Sequence, residues 1–185
     1  MDYTSGMKPF DETKQQVLDI YAQMDKESLA FKAKSKIGCR PGCGECCKNP
    51  NIYASPVEMI PAALKLIKDN RAEEFIKEGQ FNKTCHFFNG QCTAYGERPV
   101  VCRLFGWCSV ASKTGELRIS LCKVIKEDNK ELVTELESGS LGNAPDIKNW
   151  AEKVRQLDPT LSEPLPINQA LHIALEKILF YKSFE

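Results

Sequence analysis

Cys39-Arg40-Pro41-Gly42-Cys43-Gly44-Glu45-Cys46-Cys47 is the stretch on which the architecture of this 185-residue chain turns. Four thiols stand within it beside Pro41, Gly42 and Gly44, so neither helical nor strand periodicity survives. A segment of that composition must be ordered by something other than a backbone ladder. Spacings of two or three residues let successive thiolates converge on one centre, and the glycines permit the tight turn that convergence needs. A second such segment, residues 81–108, carries Cys85, Cys92, Cys102 and Cys108 among Gly90, Gly96, Pro99 and Gly106. The 37 residues between Cys47 and Cys85 hold a helix start, so two cysteine-bearing loops are expected face to face across a helical hairpin.

Outward from the loops the pattern is helical. Val17, Ile20, Tyr21, Met24 and Phe31 form one apolar stripe and predict a long helix from Asp11 to about Lys34. Ser55-Pro56-Val57-Glu58 combines a capping box with proline at the first helical position, which starts a helix running to about Asp69. A short continuation spans Arg71 to Lys77. Three further stripes follow: Ile125, Leu132, Val133 and Leu136, stopped by Gly139; Ile147, Trp150, Val154 and Leu157, stopped by Pro159; and Ile167 to Leu179 after Pro166. Leu117 to Leu121 alternates with period 2 and reads as a short strand or half of a hairpin. The expected fold is mainly α: a small helical domain with two irregular cysteine-rich metal-binding loops and at most a short hairpin. It is read as one domain over 1–185, with a motif core at 38–108 and a helical C-terminal part at 123–185.

Composition narrows the function. Lys plus Arg (25) balances Asp plus Glu (25), so no global positive field draws the chain to nucleic acid or an anionic membrane, and no apolar run is long enough to span a bilayer. Nine cysteines stand against two histidines, and eight of the nine lie between Cys39 and Cys108. The N-terminus has no apolar export signal, and an odd cysteine count leaves a disulfide framework one thiol over. A cytoplasmic, metal-binding protein is the expectation, with metal ion or cluster as its partner and any protein partner unknown. Zinc and a 4Fe-4S iron–sulfur cluster both accept four thiolates. The second loop has no CxxC knuckle of the zinc-ribbon kind, and the vicinal Cys46-Cys47 pair is expected to diverge, which leans toward iron–sulfur.

The chain resembles the YkgJ-like cysteine-cluster family, known for a CxxCxxCC signature and a zinc- or iron-chelating domain. The resemblance covers roughly Gly38 to Phe105. It rests on Cys39, Cys43, Cys46 and Cys47, on the Ser55/Glu58 helix start, and on Cys85-x-Phe87-Phe88 leading to Cys92-x-x-Tyr95-x-x-Arg98-Pro99-x-x-Cys102-Arg103. The chain departs from the family pattern in the three-residue gap between Cys39 and Cys43 and in Gly106, where proline is frequent. A flagellin lysine methylase with an iron–sulfur centre is similar in cysteine pattern and more distant. The candidate metal ligands are therefore Cys39, Cys43, Cys46, Cys47, Cys85, Cys92, Cys102 and Cys108. Arg98 and Arg103 are candidates to donate hydrogen bonds to the bound group.

Cys122 follows an alternating stretch and is expected to be a buried, inert thiol. His86 is left out because neighbours in sequence rarely point at one metal, and His172 falls on the apolar face of the last helix. The leading function is a metal-binding protein with a structural or electron-transfer role, a reading that leans away from an enzyme without deciding it. Two alternatives stay open: a protein-modifying, methylase-like enzyme, against which stands the missing glycine-rich cofactor loop, and a thiol redox protein using Cys43 and Cys46, which lacks the βαβ context of such dithiols.

Overall fold

The computed structural model describes residues 8–138, 142 and 144–184. Eight α-helices lie among the described residues: α1 (Lys8–Ser35), α2 (Pro56–Lys68), α3 (Ala72–Glu78), α4 (Val100–Leu104), α5 (Lys123–Asp128), α6 (Lys130–Glu137), α7 (Ile147–Arg155) and α8 (Ile167–Lys182). Three two-stranded antiparallel pairs join them: β1 (Tyr53–Ala54) with β6 (Leu165–Pro166), β2 (Phe88–Asn89) with β3 (Gln91–Cys92), and β4 (Trp107–Ala111) with β5 (Leu117–Leu121). The mainly α expectation holds.

Helix α2 is the axle. Every residue from Pro56 to Ala63 is buried, because α8 covers one side of it and α1 and α7 cover the rest. The N-termini of α2 and α8 are brought side by side by the β1–β6 pair, with Tyr53 opposite Pro166, and by the Ile167 N–H donating to the Ile52 carbonyl at 2.9 Å. The principal core gathers Val17, Tyr21 and Met24 of α1, Ile60 and Leu66 of α2, Val154 of α7 and Leu171, Leu175 and Ile178 of α8. A smaller core lies under the β4–β5 hairpin, where Phe31, Ile37, Trp107, Leu121, Ile125 and Leu136 meet.

Two elements differ from the sequence expectation. The stripe from Ile125 to Leu136 is two helices, broken at Asn129, whose backbone (φ −137°, ψ 51°) leaves the helical region. The stop assigned to Gly139 lies outside the described residues. The second thiol-bearing segment is also less irregular than its composition implies, for it contains the β2–β3 hairpin, α4 and the start of β4. Among the described residues no helix is long and apolar enough to cross a membrane.

Candidate metal centre

The first loop leaves α1 through Lys36, whose φ of 55° turns the chain out of the helix, and closes on itself when the Cys43 N–H donates to the Arg40 carbonyl at 3.0 Å. Gly42 occupies the left-handed region at φ 70°, which an L side chain rarely adopts. Cys46 and Cys47 sit on one 3-10 turn, Glu45–Lys48. This turn lies directly on the second loop. A Cβ at Gly44 would come within 2.4 Å of the Phe88 ring, and the Cys85 N–H donates to the Cys47 carbonyl at 3.4 Å. Only glycine lets the two loops approach so closely.

The second loop is held from three sides. Asn168 of α8, which is buried, accepts from the His86 N–H at 3.0 Å and donates to the carbonyls of Asn82 (2.7 Å) and Thr84 (2.9 Å), fixing the backbone on either side of Cys85. Glu58 of α2 accepts from the Ser55 N–H (2.8 Å) and Ser55 hydroxyl (2.6 Å) through one carboxylate oxygen, and from the Val100 N–H (3.2 Å) through the other. One buried carboxylate thus caps α2 and α4 together, and α4 carries Cys102. Arg103, with a side chain only 7% exposed, pairs with Asp25 of α1, donates to the carbonyls of Arg98 and Gly96, and lies 4.4 Å over the Tyr21 ring.

These constraints gather five thiols. The Cys47 side chain is in hydrogen-bonding reach of both Cys46 and Cys92, and Cys85 and Cys102 are close enough to act on Cys46 and Cys92 electrostatically. Cys46 and Cys47 therefore do not diverge, contrary to the expectation for a vicinal pair. Cys85, Cys92 and Cys102 share an apolar back wall with Met59, Ala62 and Ile167. On the other side Cys46, Cys92 and Cys102 border a cavity of about 1010 Å³, large enough for a small ligand.

Charge is unevenly distributed over the five. The single Cys47 S–H, shared between Cys46 and Cys92, lowers the pKa of both neighbours, with the Arg98 guanidinium contributing in the same direction against the cost of burial. Cys47 is raised because its proton is retained by those two neighbours. Burial pushes Cys85 up to about 11 and Cys102 well above the usual thiol range. Arg98 reaches this position by donating to the Tyr95 carbonyl (3.1 Å) and the Cys102 carbonyl (3.3 Å), with its guanidinium 3.5 Å over the Tyr95 ring. Of the two arginines singled out from sequence, Arg98 faces the thiols electrostatically, whereas every polar contact of Arg103 named above ties the loop to itself and to α1.

Sulfur donors in this number, beside a cation, suit a thiophilic metal. Four ligands at ~2.3 Å in a tetrahedron place their sulfurs about 3.8 Å apart, which is the reach of a thiol hydrogen bond. Cys47 is in hydrogen-bonding reach of Cys46 and Cys92, and among the described residues no three Cys, His, Asp or Glu side chains are placed to hold a metal ion. The thiols are gathered, and a bound cation would complete the closure.

Residues 38–130, half of the chain, match the model of the CxxCxxCC family, described as "Putative zinc- or iron-chelating domain". The chain belongs to the CxxCxxCC family. The match runs past the second loop through the β4–β5 hairpin to α5, so the hairpin and Cys122 fall within this CxxCxxCC domain while α7 and α8 lie outside it. No curated protein and no solved structure matches the chain.

The remaining candidates separate into two places. Cys39 is exposed and Cys43 half-buried, and both line the cavity with Cys122. Cys122 is half-buried and not fully buried as its alternating neighbours imply: it packs against the smaller core and also borders the cavity. It caps α5 instead of continuing β5, and no signal in its own stretch of sequence marks that turn. Cys108 is 6% exposed on β4, paired opposite Ser120. Strand alternation sends it away from its neighbour Trp107, which lines the cavity. Burial and the nearby Asp146 push its thiol up to about 11, and no other cysteine contributes to that shift.

His86 packs edge-on against Phe75 (centroids 4.8 Å apart) and lies 3.2 Å from Arg71, with its pKa lowered by burial and by that arginine. His172, its side chain 13% exposed, meets Glu176 at 3.3 Å. Asn168 and Asp25 are the positioning residues that sequence reasoning missed, since each acts on a loop more than 70 residues away.

Proposed function

We propose that this CxxCxxCC chain is a metal-binding protein whose centre is built from Cys46, Cys47, Cys85, Cys92 and Cys102, with a structural or electron-transfer role. The observation that carries the reading is the position of Cys47 between Cys46 and Cys92, with Cys85 and Cys102 alongside. Cys47 within hydrogen-bonding reach of both Cys46 and Cys92 supports a single tetrahedral ion, zinc or iron, whereas a cubane seats each cysteine sulfur on a separate iron and holds them further apart. The iron–sulfur reading draws its own support from the surplus of thiols over four and from the cavity that borders Cys46, Cys92 and Cys102.

When bound, zinc supplies a cross-link between the loops, and iron adds one-electron chemistry. The chain's own residues do the rest. Arg98 offsets the negative charge of the thiolates, Asn168 and Glu58 hold the Cys85 and Cys102 backbones in place, and the Met59–Ala62–Ile167 wall closes the side opposite the cavity. Cys47, Cys85 and Cys102 keep their protons at neutral pH until a cation displaces them, so uptake releases protons and strengthens as pH rises.

The test is elemental analysis and visible absorbance of protein purified without oxygen. Stoichiometric zinc in a colourless sample supports the single-ion reading, and iron with inorganic sulfide in a brown sample supports the cluster. Less than about a tenth of a metal per chain overturns both. Cys102→Ser is expected to lower metal content, and full occupancy in that variant refutes the inner set.

A further inference from the structure

The cavity of about 1010 Å³ extends well past the thiols that border it. Its facing wall is α1, which lines it with Leu18, Ala22, Asp25, Leu29 and Lys32. Steps of three and four residues keep those side chains on one helix face, and at ~1.5 Å per residue the wall is about 21 Å long. Leu29 is 61% exposed, so the middle of this wall is an apolar surface left bare.

The end of the cavity at the C-terminal turns of α1 is cationic. Lys32 lies 5.3 Å from the centroid of the Trp107 ring, whose indole N–H donates at 2.9 Å to the buried hydroxyl of Ser28, one turn before Lys32. Beside Trp107, the Gly106 carbonyl accepts from the Cys122 N–H at 3.1 Å, and a Cβ built on Gly106 would stand 3.4 Å from Cys39 Sγ. The next residues along the chain, Lys123 and Arg40, therefore reach the same end as Lys32, and both line the cavity. Arg40 is held there by Asp128 through Nε and one terminal nitrogen, which leaves its second terminal nitrogen to donate elsewhere. Lys32 has no carboxylate partner among the described residues. The acids lining the cavity, Asp25 and Glu45, are already matched by Arg103 and by Lys48. Positive charge at the Lys32 end is thus left unmatched, beside an apolar wall left uncovered.

We propose that the cavity binds an organic anion, with a phosphate, sulfonate or carboxylate head at Lys32, Arg40 and Lys123 and an apolar or aromatic body along Leu29, Ala22 and Leu18. The pairing of the two surfaces selects this class. An inorganic anion would leave the α1 wall bare, and an uncharged apolar molecule would forgo the charge-assisted hydrogen bonds at the head. The volume suits a ligand of cofactor size, since such pockets run to about 1,000 Å³. No thiol anchors the ligand, so the inference goes beyond the metal-binding reading and does not depend on which metal is held.

The test uses 8-anilinonaphthalene-1-sulfonate, an aromatic anion of this class, titrated into the folded full-length chain as purified. Fluorescence reads affinity and equilibrium dialysis reads stoichiometry, with one molecule per chain expected. Lys32→Ala and Leu29→Asp should each weaken binding about tenfold, whereas Lys34→Ala, exposed on the opposite face of α1, should leave it unchanged. N-phenyl-1-naphthylamine, the same body without its sulfonate, should bind at least about tenfold more weakly. Phenyl phosphate and benzoate are the competitors that name the head group. Displacement by either, at concentrations where inorganic phosphate has no effect, supports the site, and displacement by neither overturns it. Equal affinity in wild type and Lys32→Ala overturns it as well, as does uptake of several molecules per chain. Metal content measured on the same samples keeps the two readings apart: a metal-free chain that binds the probe through Lys32 retains this site, and a metal-loaded chain that does not bind it loses this site alone.

Discussion

Glu58→Gln is the substitution that isolates what holds the two loops in register. The carboxylate is buried and accepts three hydrogen bonds, all from donors: the Ser55 N–H, the Ser55 hydroxyl and the Val100 N–H. Glutamine conserves the volume but offers one acceptor oxygen, so its amide must present N–H to at least one of those donors. Hydrogen bonds to an ionised group are each worth ~1.5–3 kcal/mol, and a buried donor left unpaired costs ~1–3 kcal/mol. Removing the buried charge returns part of that, which leaves an expected loss of about 2 kcal/mol in unfolding free energy.

The pH dependence gives the sign. Burial raises the Glu58 pKa in the folded state above its ordinary value, against its own hydrogen bonds. A raised acid binds its proton more tightly folded than unfolded, so its ionisation destabilises the fold as pH climbs from the unfolded pKa of ~4.3 toward the raised folded value. Wild type should therefore gain stability relative to Glu58→Gln as pH is lowered through that window. Urea unfolding at several pH values, followed by circular dichroism, measures both effects. A variant within about 0.5 kcal/mol of wild type at neutral pH would show that Glu58 is not what joins α2 to α4.

Cys108→Ala removes one buried sulfur and is expected to cost about 1 kcal/mol in urea unfolding while metal content stays at the wild-type level, and a drop in metal would return Cys108 to the ligand set. Chelation of the bound metal is expected to loosen residues 37–53 and 81–99 in hydrogen exchange while α8 keeps its protection. Loop protection that survives chelation, or melting of α8 at the same rate, would sever metal from loop order.

Much of the helical scaffold was written locally. The stripes of α1, α7 and α8 and the Ser55–Glu58 start of α2 arise from residues within a few turns of one another, so period and cap chemistry located them without knowledge of partners. The β4 strand was not legible, because Trp107 to Ser109 are buried on both faces and show no alternation. It forms because β5 pairs with it residue by residue from Leu121 to Leu117, a pairing that local composition does not encode. The break at Asn129 between α5 and α6 was hidden for the opposite reason: the apolar spacing on its two sides happens to run in phase.

The candidate site divides in the same way. Its donor chemistry and the family resemblance were already present in the cysteine spacing and in the Cys92-x-x-Tyr95-x-x-Arg98-Pro99-x-x-Cys102-Arg103 string, since thiol type and spacing set which metals a segment can approach. Which thiols stand together was decided by contacts between distant segments. Phe88 over Gly44 lays one loop on the other, Asn168 and Glu58 orient Cys85 and Cys102, and the turn from β5 into α5 swings Cys122 back to Cys39 while strand pairing points Cys108 away. Spacing limits how far two sulfurs can be from each other along the chain; only packing determines which way each one faces.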